Sequence, residues 1–396
     1  MRKRKKNNFE KKFLLLPFVL LSLFGLVSYA LDQKSDNKVL VENILEKSKK
    51  DRPVVYTKQY GDRVITENAK IADDRFKDLT FFKKESLLSN VISSWTKKGE
   101  TLTSPGLESG TWLWTPIMQI TPEYRSTIIS GAKKNGINVI YLSIDSYLDI
   151  FVMPEGEEKE NAKRDFDSII IDFIKEANKN GIQVDAEAGW QNWAEAGHLY
   201  KPGAILDYVI NFNKENEEKF RGFQYDVEVY LLPDYKSDKE IILKNFLDLV
   251  DKTITKINSS DLAFSVVIPE FYDDSTQETK IFRYNGKNTH ALEHLLRILE
   301  RRKGSKIIVM SYRNQTQGDN GSIKISEDEI YIANEYNTKV VIAQETGDVP
   351  PPYITFYNTS KSQYNRQVGL LEKTFQGEKS FGGIAVHYIN SFLELK

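Results

Sequence analysis

The stretch Gly222-Phe-Gln-Tyr-Asp-Val-Glu-Val-Tyr230 reads as a buried strand that ends in carboxylates. Side chains on a strand alternate between its two faces. Gln224, Asp226 and Glu228 therefore share one face, and Phe223, Tyr225 and Val227 share the other. The apolar face suits packing beneath helices. The polar face sets an amide and two acids in a row. Neighbouring buried carboxylates are costly unless they do chemistry, hold a cation or share a proton. The stretch therefore predicts an active site at the end of a strand.

Outward from there, the same texture recurs eight times from Gly110 onward. A short apolar run is followed each time by an amphipathic stretch. The runs are Thr111–Pro116, Val139–Asp145, Ile182–Glu187, Gly222–Glu228, Leu262–Ile268, Lys306–Tyr312, Lys339–Glu345 and Gly383–His387. Helical patterns are clear over Pro122–Lys134, Asn161–Asn180, Asp238–Asn258, Thr289–Lys303, Ser326–Tyr336 and Ser360–Phe375. Thr121, Ser237 and Ser326 stand where N-caps belong. Gly136 and Gly181 stand where helices end. Strands alternating with helices predict a parallel sheet covered by helices. Eight such units in about 285 residues fit a closed (β/α)8 TIM barrel, which typically takes ~250. An open doubly wound sheet would usually carry a glycine-rich phosphate loop after its first strand. Trp112-Leu-Trp114-Thr-Pro116 is unlike one, and neither G-x-x-x-x-G-K-[ST] nor G-x-G-x-x-G occurs.

Barrel sites form at the C-terminal ends of the strands. Reactive residues collect there. The second run ends in Asp145, the third in Asp185-Ala-Glu187 and the fourth in Asp226-Val-Glu228. The sixth ends in Tyr312-Arg313, the seventh in Glu345 and the eighth in His387, and Glu270 lies just past the fifth. Trp112, Trp114, Trp190, Trp193, Tyr230, Tyr312, Tyr353 and Tyr388 supply aromatic surface around them. Pyranose faces stack on aromatic rings, and their hydroxyls need donors and acceptors at the edge. Acids within a ring of Trp and Tyr thus predict a sugar site. Trp190-Gln-Asn-Trp193 is the best contact loop, and Thr346–Tyr353, stiffened by three prolines, is expected to wall the cleft.

The fourth and sixth runs resemble those of chitinase-type, family-18 glycoside hydrolases. That family carries D-G-x-D-x-D-x-E on its fourth strand and M-x-Y on its sixth. Here the first frame reads Arg221-Gly-Phe-Gln224-Tyr-Asp226-Val-Glu228, and the second reads Met310-Ser-Tyr312. The last Asp and the Glu match, while Arg221 and Gln224 replace the first two Asp. The resemblance implies that Glu228 is the general acid. Asp226 would orient a substrate N-acetyl group acting as internal nucleophile, Tyr312 would hydrogen-bond that group, and Gln224 could donate to Asp226. The chain also looks similar to secreted barrel proteins described only as glycosidase-like.

A second mechanism rests on Glu228 and Glu345, which end the fourth and seventh runs. Retaining glycosidases that use two glutamates place acid and nucleophile on those strands. Carboxyls about 5.5 Å apart would give a covalent intermediate, and a wider gap would favour inversion. Asp226 and Glu187 crowd Glu228, which would help it keep a proton. Arg313 and His387 are candidates to balance the charge. Asp145, Asp185, Glu187, Gln224, Trp112, Trp114, Trp190, Trp193, Tyr230, Arg313, Tyr353 and His387 complete the expected substrate surface.

Residues 1–31 read as a signal peptide or membrane anchor. Seven basic residues precede or enter an apolar run, Phe13–Val27, and Ser28-Tyr-Ala30 offers a cleavage site. The apolar run through Leu31 nearly reaches spanning length, so anchoring through residues 13–31 stays open. Either way the remainder lies outside the membrane, and the expected location is secreted or extracellular membrane-anchored, in a bacterium. That remainder holds 48 of 55 basic and 55 of 56 acidic residues, a net charge of −7, which argues against a nucleic-acid partner. Cysteine is absent, which excludes disulfides, thiolate metal sites and a Cys nucleophile. Residues 32–108 read as an N-terminal extension, with helices expected over 37–50 and 73–94 and extended chain over 52–65. Residues 109–396 form the barrel. No cofactor or metal is expected.

Two rival readings remain. One is a catalytically inactive barrel that binds glycan or cell wall. The other is a metal-dependent polysaccharide deacetylase, using His290 and His294 or a cation held by Asp185, Glu187, Asp226 and Glu228.

Overall fold

The computed structural model describes residues 106–273 and 281–396, together with the backbone of two short strands nearer the N-terminus. The chain divides into two units, Met1–Leu79 and Thr80–Lys396. In the first unit, β1 (Val54–Thr57) pairs antiparallel with β2 (Val64–Glu67), with Val54 opposite Glu67. These strands overlap the expected extended stretch. The expected leader or anchor at 1–31 and the helices at 37–50 and 73–94 lie outside the described residues. Among the described residues, no helix is long and apolar enough to cross a membrane.

The second unit contains a closed barrel. Its strands are β3 (Glu108–Leu113), β4 (Val139–Ser143), β5 (Gln183–Ala188), β6 (Gly222–Tyr225), β7 (Ala263–Pro269), β10 (Lys306–Met310), β11 (Lys339–Glu345) and β12 (Phe381–His387). They close in that order, each parallel to the next, with β12 returning to β3. A small antiparallel pair, β8 (Phe282–Tyr284) and β9 (Lys287–Thr289), follows β7. The covering helices are α1 (Pro122–Lys134), α2 (Tyr147–Phe151), α3 (Glu157–Lys179), α4 (Tyr200–Glu215), α5 (Tyr235–Ile257), α6 (Ala291–Leu299), α7 (Ser322–Ala333), α8 (Lys361–Phe375) and α9 (Ile389–Leu393). The (β/α)8 barrel expected from the repeat is thus the observed fold.

Local chemistry explains most element ends. The Thr121 hydroxyl accepts from the Tyr124 amide and starts α1. Gly136 and Gly181 follow α1 and α3 at φ +73° and +75°, a conformation glycine takes without a Cβ clash. Other caps differ from expectation. Gly321, not Ser326, precedes α7, and the Ser326 hydroxyl instead donates to the Ser322 carbonyl one turn back. Helix α5 starts at Tyr235, and Asp238, the expected start, is a break within it (φ −119°, ψ 26°). Helix α4, which is not among the clear helical patterns of the sequence, carries Pro202 in its first turn. Proline in a first helical turn forfeits no internal hydrogen bond.

The apolar face of the opening stretch packs outward as expected. The Tyr225 ring meets Phe264 at 5.5 Å, and its hydroxyl accepts from Thr253 of α5 at 3.0 Å. The barrel interior is polar at its N-terminal end. Glu108, Tyr141, Asp185, Arg221 and Lys306 meet there. Arg221 donates through Nε to Asp185 Oδ1 at 2.7 Å and lies 3.1 Å from Glu108. Lys306 bonds Glu108 and stands 3.6 Å from Asp185, and the Tyr141 hydroxyl donates to Glu108. This corrects the expectation for Asp185. It shares a face with Glu187 but sits one level lower, inside a closed ion network rather than on the rim.

Candidate active site

Past Tyr225 the fourth barrel strand leaves its ladder. The Asp226 amide still donates to the Ala188 carbonyl at 3.1 Å. The chain then turns at Glu228 into a single 3-10 turn, Val229–Leu231. That turn brings the Tyr230 hydroxyl onto the Glu228 carboxylate, where it donates to Oε1. Asp226, Glu228 and Tyr230 are all buried. Burial pushes the Tyr230 phenol well up, and Glu228, Tyr272 and Tyr312 add to the effect, so it stays a neutral donor. Tyr272, beyond β7, is raised by burial, then by Tyr235 and Glu228. Glu228 thus sits among phenols contributed by several strand ends.

A second group forms at the ends of β11 and β12. The fully buried Glu345 carboxylate accepts from the Thr346 amide at 2.8 Å and from the Gly347 amide through Oε1. Its Oε2 lies 2.7 Å from His387 Nδ1. On the other side of the imidazole, Trp114 Nε1 donates to His387 Nε2 at 3.2 Å. An indole N–H can only donate, so Nε2 accepts and the ring proton sits on Nδ1. Trp112 donates to Gln224 Oε1 at 2.7 Å, and Gln224 Nε2 in turn donates to Ser265 at 3.3 Å. The two indoles lie nearly parallel, 17° apart with centroids at 6.3 Å. Tyr312 joins both groups. Its ring lies 5.9 Å from that of His387, and it contributes to the field at Tyr230.

The remaining expected residues divide. Asp145 accepts from the Gly189 amide at 3.2 Å, beside the end of the third strand. Gly189 is required there, because a Cβ would collide with the Asp226 backbone. Glu187 is fully buried and stands in register between Ser143 and Gln224. Arg313 donates to the Tyr312 carbonyl and to Asn320, lies 4.0 Å from Glu270, and underlies the Tyr353 ring at 5.7 Å. Trp190 is 36% exposed on its loop. The expectation for Trp193 is corrected: it is buried and meets Tyr225 edge-on at 6.5 Å, so it packs the outer layer of the barrel. Asp185 belongs to the opposite end.

Sequence reasoning missed Tyr272 and the amides of Thr346 and Gly347. Tyr272 carried a weak signal, an aromatic pair just after Glu270; the amides carried none. The histidines of the rival deacetylase reading do not face the rim group. His294 Nε2 lies 3.0 Å from the Phe282 carbonyl, among the rings of Phe282 and Tyr284, and burial lowers its pKa. Among the described residues, no group of three or more His, Asp or Glu is arranged to hold a metal ion.

Fold and site together define a (β/α)8-barrel protein whose C-terminal rim gathers carboxylates, phenols and indoles. No family model and no curated protein sequence matches the chain. Solved structures with a similar fold include glycoside hydrolases. One is an endo-1,4-β-mannanase from Rhizomucor miehei, with TM-score 0.46, 12% identity, and coverage of 72% of this chain and 86% of that one. A GH18 chitinase from Pseudoalteromonas aurantia gives 0.45, 13%, 71% and 93%. The spore cortex-lytic enzyme SleL of Bacillus megaterium gives 0.40, 13%, 74% and 74%. At these identities the likeness is one of fold.

Proposed function

We propose that this chain is a glycoside hydrolase that cleaves a cell-surface or extracellular polysaccharide, with Glu228 as general acid. The observation that carries the reading is the Glu228 carboxyl, buried at the C-terminal end of the barrel and held by the Tyr230 hydroxyl among other phenols. Glu228 gives its proton to the glycosidic oxygen as the C1–O bond breaks. The carbonyl oxygen of the substrate's own acetamido group, oriented by Asp226 and Tyr312, bonds to C1. Water then opens that ring while Glu228 takes its proton back. The basic head and apolar run at the N-terminus support export from the cell.

A second reading, a barrel that binds glycan without cleaving it, draws support from the two replaced aspartates. Arg221 is committed to the ion network and Gln224 to Trp112 and Ser265. One experiment separates the two. Residues 32–396 are screened against N-acetylated and neutral polysaccharides, with Glu228→Gln in parallel. Turnover that falls about 10²–10⁴-fold in the variant, with binding retained, supports the hydrolase. Binding without turnover in either protein overturns it. Fractionation of the producing cells tests export.

A further inference from the structure

The seventh-strand glutamate is the residue a two-glutamate mechanism would use as nucleophile. Its surroundings point elsewhere. We propose that Glu345 is a positioning residue, which acts through the His387 imidazole to fix the buried Trp114 indole in the floor of the C-terminal rim, beneath the sugar. The inference rests on the glycosidase reading for its substrate, but not for its geometry.

Three observations support it. Glu345 Oε1 is taken up by two backbone amides of its own loop, and Oε2 by His387 Nδ1. A nucleophile needs an oxygen aimed at the anomeric carbon, and here both are turned to protein donors. Next, the hydrogen bonds run in a single direction. Trp114 gives to His387, and His387 gives to Glu345. A carboxylate that accepts at both oxygens fixes the imidazole as the Nδ1–H tautomer, and that tautomer is the one able to accept the indole proton. Finally, the imidazole is packed by Trp112, Trp114, Tyr312 and Tyr388, with centroids 5.4–5.9 Å away, which fixes its plane. The indole of Trp114 is thereby set nearly parallel to that of Trp112.

The test has two arms. In the first, histidine-labelled free protein is studied by nitrogen NMR, with no substrate required. The expected result is a protonated Nδ1 and an unprotonated Nε2 for His387, with Glu345→Gln weakening that pattern. A protonated Nε2 overturns the proposal, whatever becomes of the enzyme reading. In the second arm, Glu345→Gln and Trp114→Phe are assayed on the polysaccharide found in the screen. Both are expected to raise KM about tenfold while kcat stays within a few-fold. A loss of turnover by a thousandfold or more, or formation of a glycosyl azide when azide is added to Glu345→Ala, identifies a nucleophile and overturns the proposal. If no substrate emerges, the glycosidase reading fails while the NMR arm still decides the positioning claim.

Discussion

Asp185 and Arg221 face one another as a two-pronged ion pair at the N-terminal end of the barrel, with Arg221 Nε 2.7 Å from Asp185 Oδ1. Burial pushes the Asp185 carboxyl up, but Arg221 and then Lys306 outweigh it, so its pKa falls below the usual 3.8. Glu108 is likewise held below 4.5, with Lys306 and Arg221 overcoming burial. A lowered folded-state pKa adds stability that is present above the unfolded value and lost as pH falls through the folded one. Asp185→Asn breaks the network and is expected to cost about 3–5 kcal/mol near neutral pH. The gap to wild type should narrow below about pH 4, where the wild-type carboxylates protonate too. Thermal unfolding at neutral and acid pH measures this, and a gap independent of pH would contradict it.

Tyr230→Phe removes the hydroxyl that donates to Glu228. The net worth of one intramolecular hydrogen bond is about 0.5–1.5 kcal/mol, so stability should drop by that order. Turnover should drop about tenfold or more, since the carboxyl loses its orienting partner. Denaturant melts and initial rates on the same preparation test both effects.

The two loop tryptophans should part company. Trp193→Ala empties a packed site against Tyr225 and is expected to cost about 3–5 kcal/mol while leaving glycan affinity intact in the folded fraction. Trp190→Ala removes a half-exposed ring and should change stability by less than about 0.5 kcal/mol. It should instead weaken glycan binding about three- to tenfold, the worth of one stacked ring. Calorimetric titration beside melting curves tells the two apart.

Gly189→Ala drives a methyl into the Asp226 backbone. Overpacking of this kind costs about 1–3 kcal/mol, and here the strain falls on the site itself. Both Tm and turnover should fall. Gly197→Ala, at a position with open space around it, serves as the control and should change neither.

Lys361 places its amine over the Phe392 ring and donates to the Phe392 carbonyl at 3.1 Å. Burial lowers its pKa from 10.5 to about 7. The unfolded lysine binds its proton at a higher pH than the folded one, so stability declines as pH falls from about 10.5 toward 7 and stays reduced below that. Lys361→Met should therefore raise Tm by a few degrees at neutral pH, with the gain fading toward pH ~11. Melting curves across that range decide it; a gain of the same size at every pH would count against the explanation.

The repeat of apolar run and amphipathic stretch made the barrel legible, since each period reflects burial of one face of a strand or helix. Boundaries were less legible. The first strand was expected from Thr111 and begins at Glu108, because Glu108 and Gly110 look like loop until they pair with Gly383 and Ala385 of the last strand. Within the site, alternation put Glu345 and His387 at neighbouring strand ends, and the structure joins them directly.

Alternation also fixed which face Asp185, Glu187, Gln224 and Glu345 occupy, because a pleated chain leaves each side chain only two directions. It did not fix their height along the barrel axis or their partners. Asp185 and Glu187 share a face yet stand about 6.5 Å apart along the strand, enough to separate two layers of the interior. Which layer holds an ion network and which holds the rim depends on Glu108, Arg221 and Lys306 arriving from other strands. Contacts between residues far apart in the chain arise only when the sheet closes, so closure alone decided which acids were spent on structure.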